Sequence, residues 1–195
     1  MPRRSTTDTH QRLLDAGRAL AERVGAAELT LEAVAREARV SRQTVYLHFK
    51  SRARFFFALA DATGADAVFG AAEALVRDAP TADAALRRLI ELRAARSAVS
   101  YKLTAAFHAV AHADPEMAGL WDKRQVRRLH VFRALARRFH AERRLRRGMS
   151  VDDAAALMWA SLSFENWYYL VHANKWPARR FVARTHQMLV RALTA

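Results

Sequence analysis

Apolar residues recur at helical spacing along most of this 195-residue chain, and the clearest pattern lies near its N-terminus. One set occupies positions i, i+3, i+4 and i+7, the spacing that places side chains on one buried face of a helix. Thr30 stands directly before this set and is a favourable N-cap. We therefore predict a short helix over residues 31–38, with an apolar face made of Leu31, Val34, Ala35 and Ala38.

A second short pattern follows after a break at Arg39 and Val40. Ser41 is another N-cap candidate, and Val45 and Phe49 stand four residues apart, as on the buried face of a helix of about two turns. Two short helices joined by so tight a turn form a helix-turn-helix.

The remaining positions of this second helix are rich in hydrogen-bond donors and include no acid. A helix that merely faces water usually mixes both charge signs, whereas a helix that enters the major groove needs donors for phosphates and base edges. The composition therefore indicates a recognition helix, and the residues concerned are Arg42, Gln43, Thr44, Tyr46, Leu47, His48 and Lys50.

The rest of the chain also predicts helices, because only 6 Gly and 4 Pro interrupt long segments of Ala, Leu and Arg. Asp114, Pro115 and Glu116 form a strong start signal, with a cap, a proline at the first helical position and an acid beside it. We predict an all-α fold with helices over residues 7–24, 52–78 with room for a kink at Gly64 or Gly70, 81–98, 100–113, 115–145, 151–173, and from 177 onwards.

The run from Val40 to Arg52, preceded by Thr30 to Ala35, resembles the DNA-binding signature of the tetracycline-repressor-like (TetR) family, including its Thr-x-Tyr-x-His-Phe core. The close match covers about Leu13 to Leu59. Two positions depart from the family pattern. Arg39 stands where the turn usually has Gly, so it must adopt a conformation that Gly tolerates freely, and Arg52 stands where Lys is usual.

This resemblance implies an N-terminal three-helix helix-turn-helix DNA-binding domain, residues 1–51, and a C-terminal helical ligand-binding and dimerisation domain, residues 52–195. The expected function is that of a homodimeric, ligand-responsive repressor that binds a palindromic operator in double-stranded DNA. Arg42, Gln43 and Leu47 would contact base edges, and the backbone would be held by Thr44, Tyr46, His48, Lys50 and Arg52, with Thr30 and Ser41 completing the DNA-binding set.

The resemblance also implies an effector cavity and a subunit interface in the C-terminal domain. The residues expected to line the cavity are Phe107, His108, Trp121, Phe132, Trp159, Phe164, Glu165 and Tyr168, which favours a small hydrophobic or aromatic effector. Ordinary core packing remains an alternative for each aromatic, and Glu165 could instead pair with an Arg across the dimer. The last two helices are too apolar for a monomer, and their expected interface residues are Trp167, Val182, His186, Leu189 and Val190.

Net charge and composition restrict the possible functions, but they do not show where DNA would be contacted. The formal net charge is +14, but residues 1–54 carry 11 Lys and Arg against 6 Asp and Glu, so most of the excess lies elsewhere. The absence of Cys gives no sign of secretion. No signal peptide or membrane span is evident, so we expect a cytoplasmic protein without a membrane partner. Arg3 and Arg4 are either a DNA-contacting arm or a free tail.

No phosphate loop, nucleophile elbow or metalloprotease motif is present, so we expect neither an enzyme nor a cofactor. His108 and His112 have the spacing of two metal ligands, but a third ligand would have to come from elsewhere, and two ordinary polar histidines are favoured. Two alternatives stay open: a similar DNA-binding regulator without an effector, and a small-molecule-binding helical protein or enzyme.

Overall fold

The structure is a computed structural model and describes residues 6–24, 29–62, 64–111 and 114–194. The fold is all-α, as predicted. Within the described ranges there is no strand, and Leu145 and Thr194 form an isolated antiparallel bridge. The helices are α1 Thr6–Val24, α2 Leu31–Glu37, α3 Arg42–Phe49, α4 Arg52–Ala62, α5 Ala65–Asp78, α6 Ala82–Ala111, α7 Pro115–Ala141, α8 Val151–Ser161, α9 Phe164–Trp167 with a π-helical continuation over Tyr168–Ala173, and α10 Ala178–Leu193.

Contacts divide the chain into two compact units. The first comprises Met1–Ala65 and Lys102–Asp122, and the second comprises Asp66–Tyr101 and Lys123–Ala195. This is a division by packing, whereas the boundary expected between residues 51 and 52 is a division of function. The functional boundary therefore stays a prediction.

The core of the first unit contains the residues that the apolar pattern selected. The face of α2 and the two anchors of α3 are buried, as predicted, and they surround Phe55 of α4. Gly17 allows α1 to approach this ring closely, because a Cβ at that position would lie 2.4 Å from Phe55 Cζ. The buried residues of α2, its turn and α3 are Leu31, Val34, Ala35, Ala38, Val45 and Phe49.

Both helices of the helix-turn-helix begin with the predicted caps. Thr30 Oγ1 accepts from the backbone N–H of Ala33 at 3.1 Å, and Ser41 Oγ accepts from Thr44 N–H at 3.1 Å. Helix α2 ends in a Schellman motif, in which Val40 N–H donates to Ala35 C=O at 3.0 Å. Arg39 occupies the left-handed position of that motif with φ 53°, which is the conformation expected of the residue that replaces glycine there.

The prediction of one helix over residues 52–78 was wrong about its continuity. Helix α4 ends at Ala62, and α5 begins at Ala65. Gly64 lies between them with φ 83°, a left-handed conformation that ends a helix rather than kinking it. The second glycine considered, Gly70, lies inside α5.

The predicted division of residues 81–113 into two helices was also wrong. Helix α6 is continuous from Ala82 to Ala111, and Thr81 Oγ1 caps its N-terminus through Ala84 N–H at 3.1 Å. Ser100 does not start a new helix. Its hydroxyl donates to the carbonyl of Arg96, one turn earlier, at 3.0 Å, which is how a serine is accommodated inside a helix.

Two helix ends in the second unit differ from the sequence prediction. Helix α7 stops at Ala141 rather than near Leu145, because Arg143 adopts φ 54° and Arg144 N–H bonds back to Phe139 C=O at 2.9 Å. The helix predicted over residues 151–173 is broken after Ser161. Ser163 caps α9 by accepting from Asn166 N–H at 3.2 Å.

The second unit has its own core, formed by α5 to α10. Helix α8 packs against α10, whose buried positions recur every four residues and form one stripe. No single helix of the described chain is long and apolar enough to cross a membrane, although α4 and α5 meet both criteria when taken together. The residues of the α10 stripe are Phe181, Thr185, Leu189 and Leu193.

Candidate nucleic-acid interface

Helix α3 presents one exposed face that is free of acidic residues. Val45 and Phe49 fix another face of the helix in the core of the first unit, and five other positions are exposed. The exposed positions span about 140° of the helix circumference at 100° per residue. Leu47 is 81% exposed and Tyr46 is 48% exposed, which is unusual for large apolar and aromatic side chains. The exposed set is Arg42, Gln43, Tyr46, Leu47 and Lys50.

An α-helix such as α3 fits the groove that such a face would enter. A helix with its side chains is about 10 to 12 Å across, and the major groove of B-DNA is about 12 Å wide. Guanidinium, amide and ammonium groups on this face can donate to phosphates and to the acceptors of guanine and adenine.

Arg42 is held by an ion pair that sequence analysis did not anticipate. Its Nη2 donates to Glu32 Oε1 of α2, and both side chains are exposed. The hydrogen bond from Arg42 lowers the pKa of Glu32 below its ordinary value. The apolar spacing of α2 placed Glu32 off the buried face, but no feature of the sequence indicated which basic residue it would meet. The pair aligns Arg42 along the outer face, where a base or a phosphate would have to displace Glu32.

Lys50 occupies a strained turn directly after α3. Its φ of 61° and ψ of −33° are those of a γ-turn, and the next residue, Ser51, donates its N–H to Phe49 C=O at 2.7 Å. A left-handed conformation is costly for a residue with a Cβ, and such strain is commonly found at functional positions. The turn leaves the Lys50 side chain exposed at the C-terminal end of the helix face.

Other members of the predicted DNA-binding set have structural contacts as well. The hydroxyl groups of Ser41 and Thr44 lie 2.9 Å apart within the N-cap. His48 is half-buried, with its ring centroid 5.7 Å from that of His10, and burial followed by the charge of His48 lowers the pKa of His10. Arg52 is half-buried, donates from Nε to Leu29 C=O at 3.2 Å, and lies over the Phe56 ring at 5.4 Å.

Two further arginines near the N-terminus brace the helix-turn-helix. Arg12 donates to Ala38 C=O at 2.6 Å and so holds the turn against α1. Arg23 forms a two-pronged ion pair with Glu37, with N···O distances of 2.7 and 3.2 Å. The number of basic residues therefore overstates the charge available to a polyanion. Arg3 and Arg4, the proposed arm, lie outside the described residues.

The residues expected to line an effector cavity fall in both units. Trp121 packs against the core of the first unit, whereas Phe132 and Phe164 are buried in the second. In the second unit Trp159, Glu165 and Tyr168 are half-buried, and the Phe164 and Tyr168 rings lie 6.0 Å apart. The side chains of Phe107 and His108 and the whole of His112 lie outside the described residues. An open depression of about 520 Å³ at the end of α7 is lined by His140, Ala141, Arg143 and Leu145, none of which belongs to the expected set.

The residues expected at a subunit interface are mostly engaged within one chain. Trp167 is 3% exposed and Leu189 is 1% exposed, so both belong to the core of the second unit. Val182 and Val190 are half-buried beside it. The Nε2 atom of His186 lies 3.2 Å from Asp83 Oδ1, an ion-pair distance without hydrogen-bond geometry. The exposed apolar side chains of α8 and α10 are instead Leu157 and Met188.

Metal-binding arrangements were sought among the described residues, and no group of three or more His, Asp and Glu side chains comes together there. Because His112 is not described, its pairing with His108 stays untested.

Comparisons with known proteins agree with this geometry. Residues 13–59 match the family model described as bacterial regulatory proteins, tetR family, and this segment contains α2, α3 and most of α1 and α4. No curated protein matches the chain in sequence. The fold as a whole is similar to several solved structures, at sequence identities that establish the fold alone.

The similar structures include the following three proteins. A putative transcriptional regulator from Saccharomonospora viridis in complex with choline has a TM-score of 0.77 and 15% identity, covering 97% of this chain and 99% of its own. The regulator FadR from Bacillus subtilis in complex with stearoyl-CoA has a TM-score of 0.74 and 15% identity, covering 94% and 99%. NalD, the secondary repressor of the MexAB-OprM multidrug efflux pump in Pseudomonas aeruginosa, has a TM-score of 0.75 and 17% identity, covering 97% of each chain.

Proposed function

We propose that the chain is a transcriptional regulator of the TetR type, a homodimeric repressor that a small-molecule effector releases from its operator. The observation that carries the proposal is the acid-free exposed face of α3, fixed to the core by Val45 and Phe49. A helix with this exposed composition has no evident use in a monomeric binding protein or enzyme. It suits direct contact with base edges and phosphates.

Within this face we assign two kinds of contact. Arg42, Gln43 and Leu47 would meet base edges, while Tyr46 and Lys50 would hold the phosphate backbone together with Thr44, His48 and Arg52. Gln43 can bond an adenine through two parallel hydrogen bonds, which is worth about 1 to 3 kcal/mol of discrimination against the wrong base. A phosphate contact carries no sequence information and appears instead in the salt dependence of binding.

Regulation by an effector is proposed from the second unit and from the similar structures. Two of them carry small molecules, choline and stearoyl-CoA, and a third is a repressor. For an effector to release DNA, it must bind the DNA-incompetent arrangement of the dimer more tightly than the competent one. A hydrophobic or aromatic effector fits the aromatic residues of the second unit, among them Trp159, Phe164 and Tyr168.

The DNA-binding proposal can be tested with two alanine variants. A pool of random duplexes would first be selected on the wild-type protein, and we expect the enriched sites to be palindromic. Gln43→Ala should then change the sequence preference. Lys50→Ala should weaken binding to selected and random duplexes in similar proportion and reduce the salt slope by about 1. Fluorescence anisotropy over a salt series measures both effects.

Lys123→Ala provides a matched control, because Lys123 is an exposed lysine outside α3. It should leave both the preference and the salt slope unchanged. If Gln43→Ala and Lys50→Ala lower affinity for all duplexes alike, the assignment of roles is wrong. If no duplex is enriched, the proposed function itself fails.

A further inference from the structure

Two arginines of the second unit point inwards and meet the C-terminal end of α8. Arg93 of α6 donates from Nε to Leu162 C=O at 3.1 Å, and Arg128 of α7 donates from Nη2 to Trp159 C=O at 2.5 Å. Both side chains are half-buried. The last carbonyls of a helix lack intrahelical partners and carry partial negative charge, so part of the role of each arginine is to cap α8.

Capping does not account for the charge that these arginines bring. Burial lowers the pKa of Arg93 to about 10 and that of Arg128 to about 9, and the charge of Arg96 on Arg93 and that of Arg93 on Arg128 add to the effect. Both groups are nevertheless cations at neutral pH. Glu165 is the one carboxylate of the described chain whose charge raises either pKa. Among the charges that act on this pair, Arg96 and the two guanidinium groups outnumber Glu165, and buried charge is costly unless it is compensated.

The same region holds buried polar groups that have no hydrogen-bond partner among the described residues. They are the Nε1 atom of Trp159 and the hydroxyl of Ser97. Ser97 follows Arg93 by one turn of α6, and the Arg128 guanidinium lies 5.5 Å from the centre of the Trp159 ring. An indole N–H is a donor only, so what it lacks is an acceptor.

The hydrogen bonds of Arg93 leave room for such an acceptor. Within the described chain only its Nε donates a hydrogen bond, so its Nη1 and Nη2 atoms carry N–H groups that no described oxygen accepts. Arg128, in contrast, uses both terminal nitrogens, one on Trp159 C=O and one on Gln125 Oε1 at 3.2 Å. The two arginines therefore differ: Arg128 mainly supports α8, and Arg93 has its terminal nitrogens available.

We propose that the second unit binds an organic carboxylate, which Arg93 contacts through its terminal nitrogens and Arg128 attracts by charge, with the hydroxyl of Ser97 and the indole N–H of Trp159 as further donors. The apolar body of the ligand would lie against aromatic rings of this unit, of which Phe132 and Trp159 flank Arg128 at 5.7 and 5.5 Å. This inference rests on the proposed function in taking the carboxylate to be the effector.

Ligands that share a body and differ in the head group test the proposal. The two series are naphthoate, naphthamide and naphthylmethylamine, and octanoate, octanamide and octylamine, each titrated into the full-length protein by calorimetry. In at least one series the carboxylate should bind more tightly than its amide by about tenfold or more, as expected for a charge-assisted contact. The amine should bind most weakly. If neither carboxylate binds better than its amide, or if an amine binds best, the proposal is overturned.

Variants identify the residue responsible for the preference. Arg93→Gln should reduce the ratio of carboxylate to amide affinity to near one. Arg133→Gln is the control, because Arg133 lies on the same helix as Arg128 but pairs at 2.8 Å with the exposed Asp152. Its ratio should equal that of the wild type. If Arg93→Gln only lowers the melting temperature and keeps the ratio, Arg93 is a helix cap and the proposal fails.

Glu165→Gln gives a test that removes no capping donor. Glu165→Gln should increase the ratio of carboxylate to amide affinity, because the arginines would lose the negative charge of Glu165. A ratio that falls or stays constant contradicts the site. Operator release is measured separately. A carboxylate that binds without releasing DNA supports the binding site but contradicts its role as the effector. If the protein does not bind DNA at all, only the proposed function is contradicted.

Discussion

At the scale of single residues, backbone conformation is the most informative feature of the helix-turn-helix. Arg39 holds φ 53° in the Schellman motif that ends α2, where a residue without a Cβ would be free of strain. We expect Arg39→Gly to increase the free energy of unfolding by about 1 kcal/mol, since Arg39 is exposed and no packing is lost. Urea denaturation of the two proteins would measure the change as a shift in midpoint.

Arg36→Gly is a suitable control for Arg39→Gly. Arg36 is also exposed, but it lies inside α2, where glycine destabilises a helix by about 0.5 to 1 kcal/mol relative to alanine. The two substitutions remove the same side chain three residues apart and should have opposite signs. If both substitutions destabilised the protein equally, the Arg39 side chain would contribute more to stability than its left-handed backbone conformation costs.

At the scale of secondary structure, the sequence was most informative where local chemistry alone decides the outcome. Caps at Thr30, Ser41 and Asp114 all lie where they were expected, because a cap is a contact between residues three positions apart or fewer. The buried faces of α2 and α3 were likewise evident from spacing. Once Val45 and Phe49 are assigned to the buried face of α3, the exposed positions of the helix form the face that would bind DNA.

The wrong helix boundaries arose where the same local feature, a serine before an apolar stretch, can occur either at the start of a helix or inside one. Ser100 and Ser163 each precede an apolar stretch, yet Ser100 bonds back inside α6 and Ser163 starts α9. The break before Ser163 is stabilised by distant groups, because Arg93 and Arg128 bind the carbonyls of Leu162 and Trp159. A contact between residues dozens of positions apart leaves no periodic trace in the sequence. The inward-pointing arginines were missed for the same reason.

This difference between the two serines predicts different costs for the same substitution. Ser163→Ala removes a helix cap, so it should destabilise the protein by about 1 kcal/mol. Ser100→Ala removes a bond that competes with the helix backbone and adds a better helix former, so its effect should be a few tenths of a kcal/mol. Chemical denaturation of both variants measures the costs. Similar costs for both would show that the hydroxyl of Ser100 has a structural role beyond α6.

At the scale of the whole molecule, net charge is a poor guide to where DNA would be contacted. The chain carries a formal charge of +14, yet several arginines of the first unit are committed to Glu37, Glu32, Ala38 and Leu29. Affinity for a polyanion is expected from the total charge, whereas register on the operator depends on how two copies of α3 are held. The proposed dimer is therefore what would allow the donor-rich α3 to recognise a specific operator sequence.

Adjacent residues of α10 allow that dimer to be tested separately from the fold. Met188 is 51% exposed, whereas Leu189 is 1% exposed and lies in the core of the second unit. If α8 and α10 form the interface, Met188→Arg places a charge in it and should give folded monomers by sedimentation velocity. These monomers should bind a palindromic operator weakly, because two copies of α3 must enter successive major grooves about 34 to 36 Å apart, or a multiple of that spacing.

Leu189→Arg should behave differently, because it buries an unpaired charge inside a single chain and should unfold the second unit. Circular dichroism would therefore separate the two variants even though both disrupt assembly. The informative result is a Met188→Arg protein with native helix content and a single half-site affinity similar to that of the wild type. A fully dimeric Met188→Arg protein would exclude this part of α10 from the interface. The exposed Leu157 of α8 would then be the next position at which to introduce a charge.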